Sequence, residues 1–201
     1  KIVDENHTLQ QAFLNELDEK LWASADKLRQ QLDAANYKHI VLGLIFLKYI
    51  SDNFTHQQEK IQAELTDPEN PLYFDRTFFD TEEEYQKALT AELENRDYYT
   101  ADNVFWVPAS ARWQALQEVS ILNTGAELPW GGKFSGVAKL IDDAFDAIEK
   151  DNEKLKGVLQ RISGYAVNED TLRGLIILFS DTHFTRPTYN GEPVHLGAKD
   201  I

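Results

Sequence analysis

Side chains suited to acid–base or metal chemistry are scattered along this sequence of 201 residues. The five histidines are His7, His39, His56, His183 and His195. None stands four residues from another, the spacing that would place two imidazoles on one helical face for a metal ion. Asp142 with Asp143, and the run Glu82–Glu84, could serve as paired carboxylates for proton transfer or cation binding. Each lies on the polar side of a predicted amphipathic helix, so a solvated face is the better interpretation.

Several further classes of site are not supported by the motifs. The chain has no cysteine, which excludes disulfides, thiol catalysis, thiolate zinc sites and iron–sulfur clusters. The glycine cluster WGGKFSG lacks the preceding strand that a phosphate-binding loop needs, so it is interpreted as a loop leading into a helix. No G-x-S-x-G elbow and no dinucleotide fingerprint occurs.

One short stretch is close to a motif that holds a base. ENPLY (Glu69–Tyr73) is similar to N-P-P-[FYW], with which amino methyltransferases hold a flipped-out base. Leu72 stands where the second proline belongs, and nothing around Asn70 predicts the strand end that the motif requires. The stretch is therefore interpreted as a turn.

The net charge of the chain restricts which partners it can bind. Acidic residues outnumber basic ones by 34 to 20, for a net charge of −14, so contact with DNA must come from a local basic patch. Methionine is absent even at position 1, which suggests a trimmed chain or methionines left out of the sequence. KIVDENHTLQ carries no secretory signal, and the apolar run Ile40–Leu47 is too short to cross a bilayer, so a cytoplasmic protein without a membrane segment is expected.

Apolar periodicity predicts the helices that must position any site. A stripe from Leu9 to Leu32 predicts a first helix, and a second begins after the cap residue Asp33 and continues through Leu65. The second helix is apolar almost all round over Ile40–Leu47, so we expect other helices to enclose it. This favours a central core helix, with a partner-binding face as the alternative.

Helix caps and helix-breaking residues divide the chain after residue 65 into shorter elements. TDPENP breaks the chain, an irregular aromatic stretch LYFDRTFFD follows, and Thr81 caps an acidic helix that extends to Arg96. NVFWVP predicts a short extended piece, and Ser110 is the expected cap of the next helix. Residues 134–150 form the clearest amphipathic helix, and Asn168 is the expected cap of the last one.

These elements predict an all-α fold, an irregular bundle of six to eight helices with a short aromatic extended segment. The helical domain is expected to cover residues 1–181. Residues 182–201 lose helical periodicity and predict a connector.

The stretch Leu21–Phe54 (LWASADKLRQQLDAANYKHIVLGLIFLKYISDNF) resembles the amino-terminal helical domain of the methylation subunit of type I restriction-modification systems. Four later segments agree in order: FWVPASARW, LIDDAFDAIEKDN, LKGVL and LGAKDI. The resemblance covers nearly the whole chain.

The resemblance implies a subunit that transfers a methyl group from S-adenosylmethionine to N6 of adenine in DNA. The implied partners are a specificity subunit, a restriction (motor-nuclease) subunit, a second methylation subunit and double-stranded DNA. In that family an α/β methyltransferase domain follows LGAKDI and carries the cofactor loop and the N-P-P-[FYW] motif. The 201 residues contain neither, so this stretch by itself is expected to hold no cofactor, no metal and no catalytic residue, and to be inactive.

The resemblance also directs attention to basic residues as DNA contacts. Lys38 and Lys48 match the family segment, but they are not collinear on a helix, and burial of their stems against the core is the plain alternative. Arg112, Lys133 and Arg186, in predicted loops or helix starts, are further candidates.

Two other functions stay open. One is an acidic helical module for protein–protein interaction that never touches DNA. The other is a complete small enzyme, for which no nucleophile, metal or cofactor constellation was found. The acidic helix 81–96 contacts either a partner or only water.

Overall fold

The structure is a computed structural model that describes residues 2–182, 188–189 and 192–193. Within these residues it has seven α-helices. They are α1 (Ile2–Arg29), α2 (Ala34–Thr66), α3 (Glu82–Leu93), α4 (Asp97–Thr100), α5 (Trp113–Ser120), α6 (Val137–Asp151) and α7 (Glu169–Ser180). Short 3-10 helices cover Arg76–Phe78, Ala109–Ala111 and Glu153–Leu155. The all-α fold is confirmed, and the number of helices lies within the predicted range.

A small antiparallel pair is the only ladder of named strands in the described part of the chain. β1 (Thr188–Tyr189) pairs with β2 (Glu192–Pro193), with Thr188 opposite Pro193. The other residues of the predicted connector 182–201, apart from Thr182, lie outside the described residues. Residues 103–108 (NVFWVP), predicted as extended, form neither helix nor strand.

The chain divides into two compact units, one of residues 1–52 and 107–201 and one of residues 53–106. In the first unit α7 packs against α1, α5 and α6. Its core is made of fully buried aliphatic and aromatic side chains, which include Leu44, Leu116, Ile141, Phe145 and Phe179. Because α6 and α7 present apolar residues at three- and four-residue spacing, each buries one continuous stripe.

The second unit is built on aromatic rings. Ile61 and Leu65 of α2 pack against Tyr85, Leu89 and Leu93 of α3, with Phe74 and Phe79 against the same cluster. The predicted break at TDPENP is confirmed, since α2 ends at Thr66, two residues before Pro68. The predicted cap Thr81 accepts a hydrogen bond from the Glu84 N–H, as a cap residue should.

Asn70 behaves as a turn residue. Its side-chain oxygen accepts from the Leu72 N–H at 2.9 Å, and its backbone carbonyl accepts from the Tyr73 N–H at 3.0 Å. This confirms that ENPLY is a turn and not a base-holding motif.

Candidate functional site

Helix α2 is a core helix with one uncovered face. Ile40, Leu44 and Leu47 are buried, but Leu42 is 62% exposed. Ile45 and Phe46 are half-buried. The prediction of a core helix is confirmed, whereas the expectation that other helices enclose it all round is wrong within the described residues.

Two shallow grooves meet at Leu42. The first, of about 550 Å³, runs along α2 from His39 to Tyr49 and is closed on its other side by Val158 and Leu159. It is lined on α2 by residues spaced three or four apart, which places them on one face of the helix. Gly43 forms part of its floor, and a Cβ added there would lie 3.3 Å from the Phe145 ring.

The second groove, of about 530 Å³, lies between α1 and the start of α2. Trp22 is 63% exposed at its edge, and the Arg29 guanidinium lies over the Trp22 ring at 5.2 Å. Tyr37 and Lys38 line it from α2, and Asp18 lines it from α1. Lys38 and His39 are exposed at the edges of the grooves, and Arg29 forms an ion pair of 3.2 Å with Asp26.

Lys48, predicted as a DNA contact, is inside the protein. Its side chain is 2% exposed, and its ammonium forms an ion pair of 2.6 Å with Asp52, the next-turn residue of α2. The ammonium also lies 5.9 Å from the centre of the Trp113 ring. Burial lowers the pKa of Lys48, against the opposing effect of Asp52. The alternative stated for Lys48, burial against the core, is what the structure shows.

Arg112 also makes an internal contact. Its side chain is half-buried, and its Nε donates to the Val107 carbonyl at 3.0 Å. The residue directly precedes α5, whose first N–H group, that of Trp113, donates to the Ser51 hydroxyl at 2.7 Å. Ser110 is therefore not the cap of this helix, and the prediction that it would be is wrong. The cap comes from α2, sixty-two residues away.

Lys133 is exposed in the loop before α6, and Arg186 lies outside the described residues. Lys133 forms an isolated antiparallel bridge with Glu127 and borders a small cavity of about 40 Å³ beside Trp130 and Lys139. Among the predicted contact residues, Lys38 and Lys133 are thus exposed, whereas Lys48 and Arg112 contact the packed region around the start of α5.

Two carboxylates have structural roles that sequence patterns did not predict. Asp142 was expected on a solvated face, but it is 6% exposed and accepts from the Ile162 and Ser163 N–H groups at 2.7 and 3.0 Å. Glu169 of α7 accepts from the Val137 N–H at the start of α6. Both contacts join residues at least twenty positions apart, so no local pattern could have revealed them.

The described residues offer surfaces for binding. No group of three or more histidine, aspartate or glutamate side chains in the described part of the chain is arranged to hold a metal ion. No helix there is long and apolar enough to cross a membrane. What the described residues present is a helical scaffold with an uncovered apolar face and a few exposed lysines.

Comparison with models of known protein families shows which family this helical scaffold belongs to. The family model described as the HsdM N-terminal domain matches residues 17–179, so the chain belongs to the HsdM N-terminal domain family. This confirms the resemblance found in the sequence.

Two relatives are methylase subunits by name. The chain is 99% identical over 95 residues to the type I restriction enzyme HindI methylase subunit of Haemophilus influenzae, a match that covers 47% of this chain and 21% of the relative. It is 30% identical over 148 residues to the type I restriction enzyme MjaIX methylase subunit of Methanocaldococcus jannaschii, covering 73% of this chain and 23% of the relative. Each match therefore covers less than a quarter of the length of the relative.

Proposed function

We propose that this chain is the part of a type I methylase subunit that engages DNA and holds the assembly together during adenine-N6 methylation. The observation that carries the proposal is the family match over residues 17–179, on a helical scaffold whose core helix leaves an apolar face uncovered. The proposed partners are double-stranded DNA, a specificity subunit, a restriction subunit and a second methylation subunit. The proposed location is the cytoplasm.

The methyl donor S-adenosylmethionine is assigned to the rest of the subunit because the described residues do not fit it. Such a cofactor lies at the carboxyl edge of a parallel sheet beside a glycine-rich loop. The named strands in the described part are two antiparallel pieces of two residues each. The start of α6, which follows the glycine cluster, is already contacted by the Glu169 carboxylate. No step of methyl transfer is assigned to these residues.

Lys38 and Lys133 are the predicted contacts that support DNA binding, since both are exposed. Lys48 and Arg112 are left out of the proposed contact set because they make internal contacts. Arg186 stays a prediction, outside the described residues.

The test uses the full-length subunit assembled with its specificity partner. Replacing both Lys38 and Lys133 by glutamate should weaken binding to a labelled duplex by roughly tenfold or more and make the salt dependence shallower, because fewer phosphates are neutralised. Lys87→Glu, a reversal of an exposed lysine on α3, is the control and should change affinity by less than about twofold. Unchanged binding by the double variant would reduce the role of this chain to assembly.

An interaction module that never touches DNA is the second candidate. The net charge of −14 and the two apolar grooves favour it. The same experiment separates the two functions, because only a DNA-engaging domain loses affinity on reversal of the two lysines.

A further inference from the structure

We infer that Phe78 anchors a protein-docking site in the unit of residues 53–106, and that its partner is a protein surface with an apolar socket surrounded by basic side chains. The inference deepens the assembly role proposed above and rests on it. It concerns residues 67–81, which join α2 to α3 and are here named the α2–α3 connection.

Phe78 exposes its ring to water although the neighbouring rings are packed. It is 84% exposed, the largest value among the large apolar residues of the described part of the chain. Phe74 and Phe79, from the same connection, pack against the core of the unit, whereas Leu72 is also exposed, at 44%. Because the Phe78 ring buries little area, it contributes little to folding. Aromatic rings are enriched at the centres of protein interfaces, which gives this ring a use outside the fold.

The backbone that carries Phe78 is held by its neighbours. Asp75 caps the 3-10 helix that contains it and accepts from the Thr77 N–H at 2.8 Å and from the Thr77 hydroxyl at 2.7 Å. The Arg76 Nε donates to the Glu82 carboxylate at 2.5 Å, which ties the connection to the start of α3. A ring on a fixed backbone loses little conformational freedom on binding, so it is preorganised as an anchor.

The charges around Phe78 select the partner. Residues 53–106 contain thirteen acidic and four basic side chains, so these 54 residues carry −9 of the net charge of −14. The only basic residue between positions 75 and 84 is Arg76, and it is already paired with Glu82. Asp80, Glu83 and Glu84 are exposed and form no ion pair within the described part of the chain. An apolar anchor beside unpaired carboxylates is complementary to an apolar socket with a basic rim.

The same charges argue against the other occupants. DNA is a polyanion and is repelled by a unit of net charge −9. A second copy of this chain would bring an equally acidic unit to the contact, so self-association through Phe78 is disfavoured as well. The exposed lysines proposed as DNA contacts, Lys38 and Lys133, both belong to the other unit.

The experiment titrates the labelled full-length subunit with its purified specificity subunit and, separately, with its purified restriction subunit, in the absence of DNA. Phe78→Ser should weaken association with one of the two by at least about tenfold, because the anchor is lost. Phe78→Tyr keeps the ring and should stay within about threefold of the unaltered subunit. Ile177→Ser is the matched control, since Ile177 is an apolar residue of the other unit exposed at 62%, and it should change affinity by less than about twofold.

A pair of charge reversals tests the basic rim of the partner. Asp80→Lys combined with Glu83→Lys should weaken the same association by at least about fivefold and make its salt dependence shallower. Glu19→Lys combined with Glu118→Lys is the control, because it changes the net charge equally at exposed residues of the other unit. This control should change affinity by less than about twofold. Circular dichroism of every variant checks that it folds.

Two results would overturn the inference. They are equal association of Phe78→Ser and of the unaltered subunit with both partners, or equal effects of the two pairs of charge reversals. Failure of the unaltered subunit to associate with either partner would overturn the proposed assembly role as well. Because the titrations contain no DNA, their outcome is distinct from failure of the DNA contacts proposed for Lys38 and Lys133.

Discussion

A lysine in a helix is usually solvated, and Lys48 is not. Its ammonium is enclosed by the Asp52 carboxylate on its own helix and by the ring of Trp113 on α5. A buried ion pair contributes little net stability, but it leaves a costly charge behind when one partner is removed. Lys48 therefore ties the packing of α2 and α5 to the Asp52 carboxylate.

Asp52→Ala should destabilise the chain by about 3 kcal/mol, because it leaves the Lys48 ammonium buried without its partner. The double replacement Lys48→Met with Asp52→Leu should lose less than the single variant, since the Lys48 ammonium is removed together with the carboxylate that it pairs with. Urea denaturation of both variants measures the difference. A double variant less stable than Asp52→Ala would contradict this account.

Ser51 is a second residue whose effect reaches another helix. Ser51→Ala should lower the free energy of unfolding by about 1 to 3 kcal/mol, because the Trp113 N–H at the start of α5 loses its acceptor in a buried place. Ser110→Ala is the matched control and should change the free energy of unfolding by less than about 0.5 kcal/mol. Equal losses from the two variants would return the capping role to Ser110.

Helix α6 begins at a junction that requires glycine. Gly136 has a φ of 127°, and a Cβ there would lie 3.1 Å from the Glu169 carboxylate oxygen. The carboxylate in turn accepts the first N–H of the helix and complements the positive end of its dipole. A single glycine thus permits both the backbone turn and the contact between α6 and α7.

Gly136→Ala should cost about 2 kcal/mol of stability, from the strained backbone and from displacement of Glu169. Gly164→Ala is the control, since a Cβ there meets nothing within 4 Å, and it should be neutral or slightly stabilising. Thermal unfolding of the two variants compares them. A Gly136→Ala variant as stable as Gly164→Ala would show that the junction tolerates a side chain.

Local patterns predicted the helices but not their junctions. Thr81, Asp33 and Asn168 cap the helices that follow them, as predicted, because each cap lies within three residues of the N–H that it accepts. The cap of α5 could not be found that way, since Ser51 belongs to another helix. Periodicity likewise predicted that α2 is apolar all round, but it does not specify which neighbours are present to cover each side. The sequence therefore indicates a partner-binding face on α2 only as the alternative, and the structure leaves the face around Leu42 open.

The net charge of the 201 residues limits how tightly they can bind DNA without a partner. At −14 it repels polyanions at long range, and the exposed candidate contacts in the described residues are only Lys38 and Lys133. If the proposed function holds, engagement of DNA therefore depends on the proposed partners as well as on this chain.

The isolated chain should bind duplex DNA no more tightly than a Kd of about 10⁻⁴ M at physiological salt, the weak end of nonspecific binding. Anisotropy of a labelled duplex, titrated at low and at physiological salt, measures this. Micromolar binding at physiological salt would show that this chain holds DNA without help.

The four tryptophans occupy four different surroundings, which gives the chain a set of optical probes. Trp106, 6% exposed and edge-on to the stacked rings of Phe54 and Tyr99, belongs to the unit of residues 53–106, whereas Trp113, 4% exposed, belongs to the other unit. Trp22 and Trp130 are open to water at 63% and 39%. Variants that keep only Trp106 or only Trp113 would therefore let emission spectra follow the melting of each unit separately. In a variant that keeps only Trp22, acrylamide quenching would report whether the groove between α1 and α2 is covered.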